Sequence, residues 1–228
     1  GKTEASERGR LDAVRADLEA KLAATVRELE AVEAELWASY PRYMELVQPR
    51  PITVQQLQQR VLKPGETLLT YYLHQKETLA FRVTRERLQL LRLPSGRDDI
   101  AALVTAVRAP EEVSGGGLEH LKRLDPALLN RLYQILFQPL EGGFRKGQNL
   151  LVIGDGPLHT LPLEMLVTRY GEAERSAFEQ KRQEGKIELA EYGTLPYLAR
   201  NYRFSYLPSL SALVSLRLYR KPPVSYDK

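Results

Sequence analysis

Residues 149–166 read NLLVIGDGPLHTLPLEML, and the first five of them decide the fold. A short apolar run without polar alternation, closed by Gly154-Asp155-Gly156, predicts a strand covered on both faces, as in the sheet of an α/β protein. The loop after such a strand falls at the carboxyl edge of its sheet, where α/β proteins bind ligands. Two readings of GDGPLH follow. In one, Asp155 and His159 face a ligand. In the other, Gly154 and Gly156 supply turn conformations, Asp155 bonds local backbone, and LPLEML continues into packed structure.

Sharper chemistry fails on spacing. No GK[ST] follows GDGPLH and no G-x-G-x-x-G is present, so the stretch is not a phosphate loop or dinucleotide fingerprint. There is no G-x-S-x-G elbow to carry a serine nucleophile. His74 and His120 lie in other segments and no H-x-x-x-H spacing occurs, which leaves His159 without a metal-site pattern.

Outward from this strand the period of the apolar residues changes twice. Leu11, Val14, Leu18, Leu22, Val26, Leu29, Val32 and Leu36 recur three or four apart with no Pro or Gly between Arg10 and Tyr40, which predicts one long helix. The stripe drifts around the helix, which favours packing along a globular neighbour over a two-stranded coiled coil. Pro41 ends or bends it. In TVQQLQQRVL (53–62), Thr53 and Gln56 have capping-box spacing, and Pro64-Gly65 closes the short helix that they open. ETLLTYYLH, ETLAFRVT and RLQLLRLP (66–94) then read as an antiparallel meander. A helix over 98–108, a loop at PEEVSGGG, and a helical region from Leu118 to about Pro139, its main part opened by Asp125-Pro126, lead back to the strand.

Composition bounds what such a chain does. With 228 residues, 43% of them hydrophobic, it is long enough for a real core. No apolar run approaches the ~20 residues of a membrane span, so no membrane role is expected. The absence of cysteine removes disulfides, thiolate metal sites and a thiol nucleophile from these residues, and fits a cytoplasmic protein. Lys and Arg total 33 against 29 Asp and Glu, with the signs interleaved, so a solvated mixed surface is expected and nucleic acid is not. The first residue, Gly, leads to the expectation of a trimmed start.

LLVIGDGPLHTLPLEML, followed by YLARNYRFSYLPSLSAL (197–213), resembles the hallmark of the CHAT domain, a caspase-like cysteine peptidase family related to separase. The long helix, the segment from Tyr40 to Thr84 and LYQILFQPLEGGF (132–144) are similar to what precedes that hallmark, so the resemblance covers nearly the whole chain. It implies an α/β fold: a helical arm (1–62), a meander with helices (63–147), and the first part of a caspase-like sheet layered with helices (148–228). GEAERSAFEQKRQEGKIELAEYG (171–193) interrupts the hallmark as a charged insertion, expected as an exposed excursion with a helix over 173–183.

The resemblance also implies a His that orients or deprotonates a Cys thiol, whose thiolate attacks a peptide carbonyl. Both fall downstream of SYLPSLSAL, where this chain does not reach, so no catalytic residue is carried over and the chain is expected to be inactive alone. His159 belongs to the turn after the first sheet strand. Asp155 is the candidate substrate-cleft residue, placed to attract a basic side chain of a protein substrate. Glu164 is expected to bind backbone or an Arg. No cofactor and no metal are implied. The expected partners are a catalytic C-terminal half carrying the His and Cys, a protein substrate, and a tetratricopeptide-repeat region. An exposed cleavable linker is expected in YRKPPVSYDK (219–228). The alternative is a non-catalytic interaction module built on an incomplete CHAT fold. A free-standing nucleic-acid-binding domain rests on the basic balance alone.

Overall fold

The structure, a computed structural model, describes residues 2–48, 51–113 and 122–218. The expectations for SGGG (114–117) of the PEEVSGGG loop, for Leu118, Leu121 and His120, and for the YRKPPVSYDK linker fall outside these residues, while PEEV (110–113), expected as loop, continues the preceding helix. The chain divides into two compact units, Gly1–Pro51 and Ile52–Lys228.

In the first unit, α1 (Lys2–Ser39) is the expected uninterrupted helix, and α2 (Pro41–Val47) restarts after Tyr40 with Pro41 in its first turn. Proline lacks an N–H and fixes φ, so it opens a helix more readily than it continues one.

The second unit opens with the capping box. Gln56 N–H donates to Thr53 Oγ1 (3.1 Å) and Thr53 N–H to Gln56 Oε1 (2.9 Å), which fixes the first turn of α3 (Val54–Gln56). The turn widens into a π-helix over Leu57–Val61, and the chain then enters β1 (Glu66–Leu73). β1, β2 (Thr78–Val83) and β3 (Leu88–Leu93) form the expected meander. After α4 (Arg97–Val113), α5 (Pro126–Leu136) and α6 (Gln138–Glu141), β4 (Asn149–Ile153) pairs parallel to β1, and β5 (Arg203–Tyr206) pairs parallel to β4. The sheet order is β3-β2-β1-β4-β5. The meander and the α/β strand thus belong to one mixed sheet, a junction that periodicity does not encode.

β4 is the covered strand that its sequence predicts. Leu150 and Val152 enter one core with Leu69, Tyr71, Ile100, Leu129 and Leu132, while Leu151 and Ile153 enter a second with Leu57, Val61, Leu213 and Val214. The first core carries an aromatic cluster in which Phe137 stacks on Phe144 (5.1 Å) and meets Tyr202 (5.3 Å). Buried polar groups are satisfied across elements: Tyr71 Oη donates to Leu136 O (3.0 Å), and Asn130 Nδ2 to Val167 O (2.9 Å). Away from β4 the second face thins out, and Tyr72, Leu88 and Leu90 are exposed.

The segment 171–193 corrects one expectation. It forms α7 (Glu172–Gln183) and α8 (Leu189–Thr194), but it is seated on the core. Phe178, Ile187 and Tyr192 are buried, Tyr192 meets Phe178 edge-on at 5.0 Å, and Arg182 Nη2 donates to Leu124 O (2.8 Å). Three apolar anchors spread over fifteen positions hold it, too sparse to stand out among the surrounding charges.

A half-buried ion pair locks the last helix to the first strand. In α9 (Leu210–Leu218), Arg217 donates from Nη2 to Glu66 Oε1 (2.9 Å) and from Nη1 to Glu66 Oε2 (3.1 Å). Burial opposes ionisation of Glu66, but the Arg217 hydrogen bonds and the Lys63 amide outweigh it and hold the carboxyl below its ordinary 4.5. A depressed carboxyl contributes stability that is present above the ordinary value and lost as pH falls through the folded one. Glu66→Gln is expected to cost roughly 1–3 kcal/mol at neutral pH. It should also flatten the fall in melting temperature between about pH 5 and pH 3, as followed by circular dichroism. An unchanged pH profile would contradict this role.

Candidate functional site at the carboxyl edge of the sheet

β4 and β5 run parallel, so their carboxyl ends open on the same edge. After Ile153 the chain turns through Gly154 and Asp155 into a 3-10 turn, Gly156–Thr160, and a second one, Leu163–Met165. Gly154 is required by close approach, since a Cβ there would lie 2.8 Å from Leu158 C and 2.9 Å from His159 N. Gly156 is required by conformation, with φ at +53°. The result is an open cleft of about 280 Å³ lined by Gly154, Leu158, His159, Tyr206, Leu207 and Pro208.

Asp155 sits beside this cleft as a bracket between strands. Its Oδ2 accepts from Leu73 N (2.7 Å), at the end of β1, and from Arg97 Nη2 (3.4 Å). Arg97 Nη2 also donates to Leu73 O (2.8 Å), so the three groups join the ends of β1 and β4 to the start of α4. The basic group that Asp155 meets in this chain is Arg97. The backbone it bonds lies 82 positions away, which the local-turn reading did not foresee.

His159 is exposed at the rim. Glu164 accepts from the Tyr206 hydroxyl, not from backbone or an Arg, and Tyr206 Oη in turn accepts from Leu163 N (2.6 Å). Burial, and after it the Glu164 carboxylate, push the Tyr206 hydroxyl well above its ordinary range, so it stays a protonated donor. Tyr206 was not singled out in the sequence. The available signal was an aromatic residue with a polar tip as the last position of a strand feeding this edge. His74 opens the β1–β2 turn next to this bracket, where its carbonyl accepts from Arg97 N (2.8 Å). Among the described residues no group of three or more His, Asp or Glu is placed to hold a metal ion, and no helix is long and apolar enough to cross a membrane.

The edge strand is the second element of the site. Arg203 N–H donates to Gln148 O (3.0 Å) and Leu207 N–H to Val152 O (3.0 Å). By the two-residue alternation of a strand, the amides of Phe204 and Tyr206 point away from β4, toward the open edge. Ser205, Leu207, Leu213 and Leu216 line a second cleft along this edge, of about 360 Å³.

The CHAT domain family model matches residues 126–225, from the first residue of α5 onward. The matched stretch includes β4, the cleft and β5. It is narrower than the sequence resemblance, leaving out α1 to α4 and the meander. No curated protein matches the chain. Among solved structures, the ethanolamine utilization protein EutJ from Carboxydothermus hydrogenoformans is similar at 10% sequence identity and a TM-score of 0.22, over 68% of this chain. The chain spans 49% of the length of that structure's chain.

The Asp155 bracket has a measurable worth. Asp155→Ala leaves the half-buried Leu73 amide without its acceptor and is expected to lower stability by about 1–3 kcal/mol in denaturant unfolding. Asp155→Asn keeps an acceptor oxygen and should cost under about 1 kcal/mol. Equal losses in the two variants would show that the charge on Arg97, not the amide, is what the carboxylate serves.

Proposed function

We propose, from the CHAT domain match over residues 126–225, that this chain supplies the amino-terminal, non-nucleophilic portion of a caspase-like cysteine endopeptidase. The observation that carries the reading is the open parallel edge at β5, beside a cleft at the carboxyl ends of β4 and β5. Among the described residues no strand pairs with the far side of β5, and an unpaired strand edge is a template for another strand, which natural sheets cover or complete. The completing strands would come from a polypeptide carrying the His and Cys, since these 228 residues contain no Cys. The thiolate of that Cys would attack the peptide carbonyl, with backbone N–H groups holding the oxyanion.

In this reading β4 is a core strand of the peptidase sheet and the GDGPLH turn forms one wall of the substrate cleft. Asp155 is the candidate for a basic substrate side chain, which would compete with Arg97 for the carboxylate. The reading places the protein in the cytoplasm, consistent with a chain without cysteine. A second reading, a non-catalytic interaction module, draws on the apolar stripe of α1, whose three-or-four spacing from Leu11 to Leu36 suits a helical partner such as a tetratricopeptide-repeat array.

The readings separate on what accompanies the chain. The first predicts that residues 1–228 purified alone self-associate in light scattering, or that a Cys-bearing polypeptide stays bound through purification. A monodisperse monomer with a high cooperative melting temperature would contradict it.

A further inference from the structure

The opposite edge of the sheet is chemically different. β1 and β4 both begin there, at Glu66 and Asn149, and the antiparallel return of β2 brings the Thr84–Arg87 turn to the same end. With the loop 142–148 these segments enclose an open cleft of about 650 Å³, lined by Arg82, Arg85, Arg87, Arg145 and Lys146. Two carboxylates share it. Glu66 is already neutralised by Arg217, which leaves Glu86 against five cations. Among the described residues, no carboxylate lies within ion-pair distance of any of the five.

Arg82 is held there by construction. Its guanidinium lies over the Phe144 ring, 5.5 Å from the centroid, and Nη2 donates to Gln89. It passes Gly143 so closely that a Cβ on that residue would fall 0.8 Å from Nη1. Nη1 is buried and has no acceptor. A loop with a glycine where the guanidinium passes, and a cation left without a counter-charge, describe a site arranged around positive charge. Desolvation, and after it the neighbouring Arg87, lower the Arg82 pKa, as expected where like charges gather without an anion.

We propose that this amino-edge cleft binds a small anion carrying several linked phosphate groups. Its volume falls in the range of small-molecule sites. The arginine forks match phosphate oxygens bidentately, with Lys146 as a point charge. Five cations in a cleft of this size call for several negative charges in a small volume, which linked phosphates supply and an acidic peptide, diluted by its backbone, does not. Among the described residues no aromatic ring lines the cleft to stack on a base, and the phosphates carry the recognition. The site lies at the end of the sheet opposite the peptide cleft proposed above, and it stands whether or not that reading holds.

Isothermal titration of the full chain with tripolyphosphate tests it. Saturable one-to-one binding is expected, weakening as salt rises. The double variant Arg85→Ala/Arg145→Ala, both exposed positions, is expected to bind at least about tenfold more weakly. Glu86→Gln, which removes the remaining free carboxylate, should bind more tightly. Absence of saturable binding, or binding that neither variant alters, would overturn the proposal. So would binding of a single-stranded oligonucleotide that tripolyphosphate fails to displace.

Discussion

The parallel pairing of β4 with β1 on one side and β5 on the other is the constraint from which the remaining structure follows. A strand covered on both faces leaves no backbone group to water, so each N–H and C=O must find a neighbouring strand, and each side chain must find a core. β1 meets the first demand from the meander side, and its register, with Leu68 opposite Leu151 and Thr70 opposite Ile153, sets which residues share a face. The second demand places α4 and α5 on one face and the π-helical segment with α9 on the other. The Glu66–Arg217 pair then ties the last helix to the strand that starts the sheet.

Pairing in parallel also gives the sheet two unlike ends. At the carboxyl end, Asp155 joins β4 to β1 through Leu73, and Tyr206 joins β5 to the second 3-10 turn through Leu163 and Glu164. These bonds stiffen the turn after the strand while leaving His159 and the cleft beside it open. At the amino end, the hairpin tip and the loop before β4 gather Arg and Lys with little opposing charge. A strand that connects both ends is short and stiff, so each end can carry its own chemistry on one scaffold.

Much of this was legible in the residues, and the gaps have physical causes. The capping box at Thr53 and Gln56, the Asp125 cap before Pro126 and the apolar run of β4 depend on contacts within a few positions, and each forms where the sequence indicates. The union of meander and parallel strands in one sheet depends on pairing between residues about 80 positions apart, which local periodicity does not carry. The segment 171–193 was read as an excursion because its charges outnumber its anchors, yet burial of Phe178, Ile187 and Tyr192 decides where it lies. At the candidate site, Asp155 and His159 were visible through the unusual GDGPLH phrase. The role of Tyr206 depended on a turn 42 positions away, and the cation cluster on the end of β2 and two loops meeting at one edge.

The proposal makes β5, last in the sheet order, the edge that a catalytic half would complete, and amide hydrogen exchange reads that edge directly. In the 228-residue chain alone, the amides of Phe204 and Tyr206 should exchange rapidly, while those of Arg203 and Leu207, bonded to β4, are protected. In the presence of a Cys-bearing catalytic half, Phe204 and Tyr206 should slow by at least about a hundredfold, as amides entering a new strand pair do. Exchange at these two positions that is already slow in the isolated monomer, or that stays fast when the catalytic half is bound, would contradict the claim that β5 is the seam of a larger peptidase sheet.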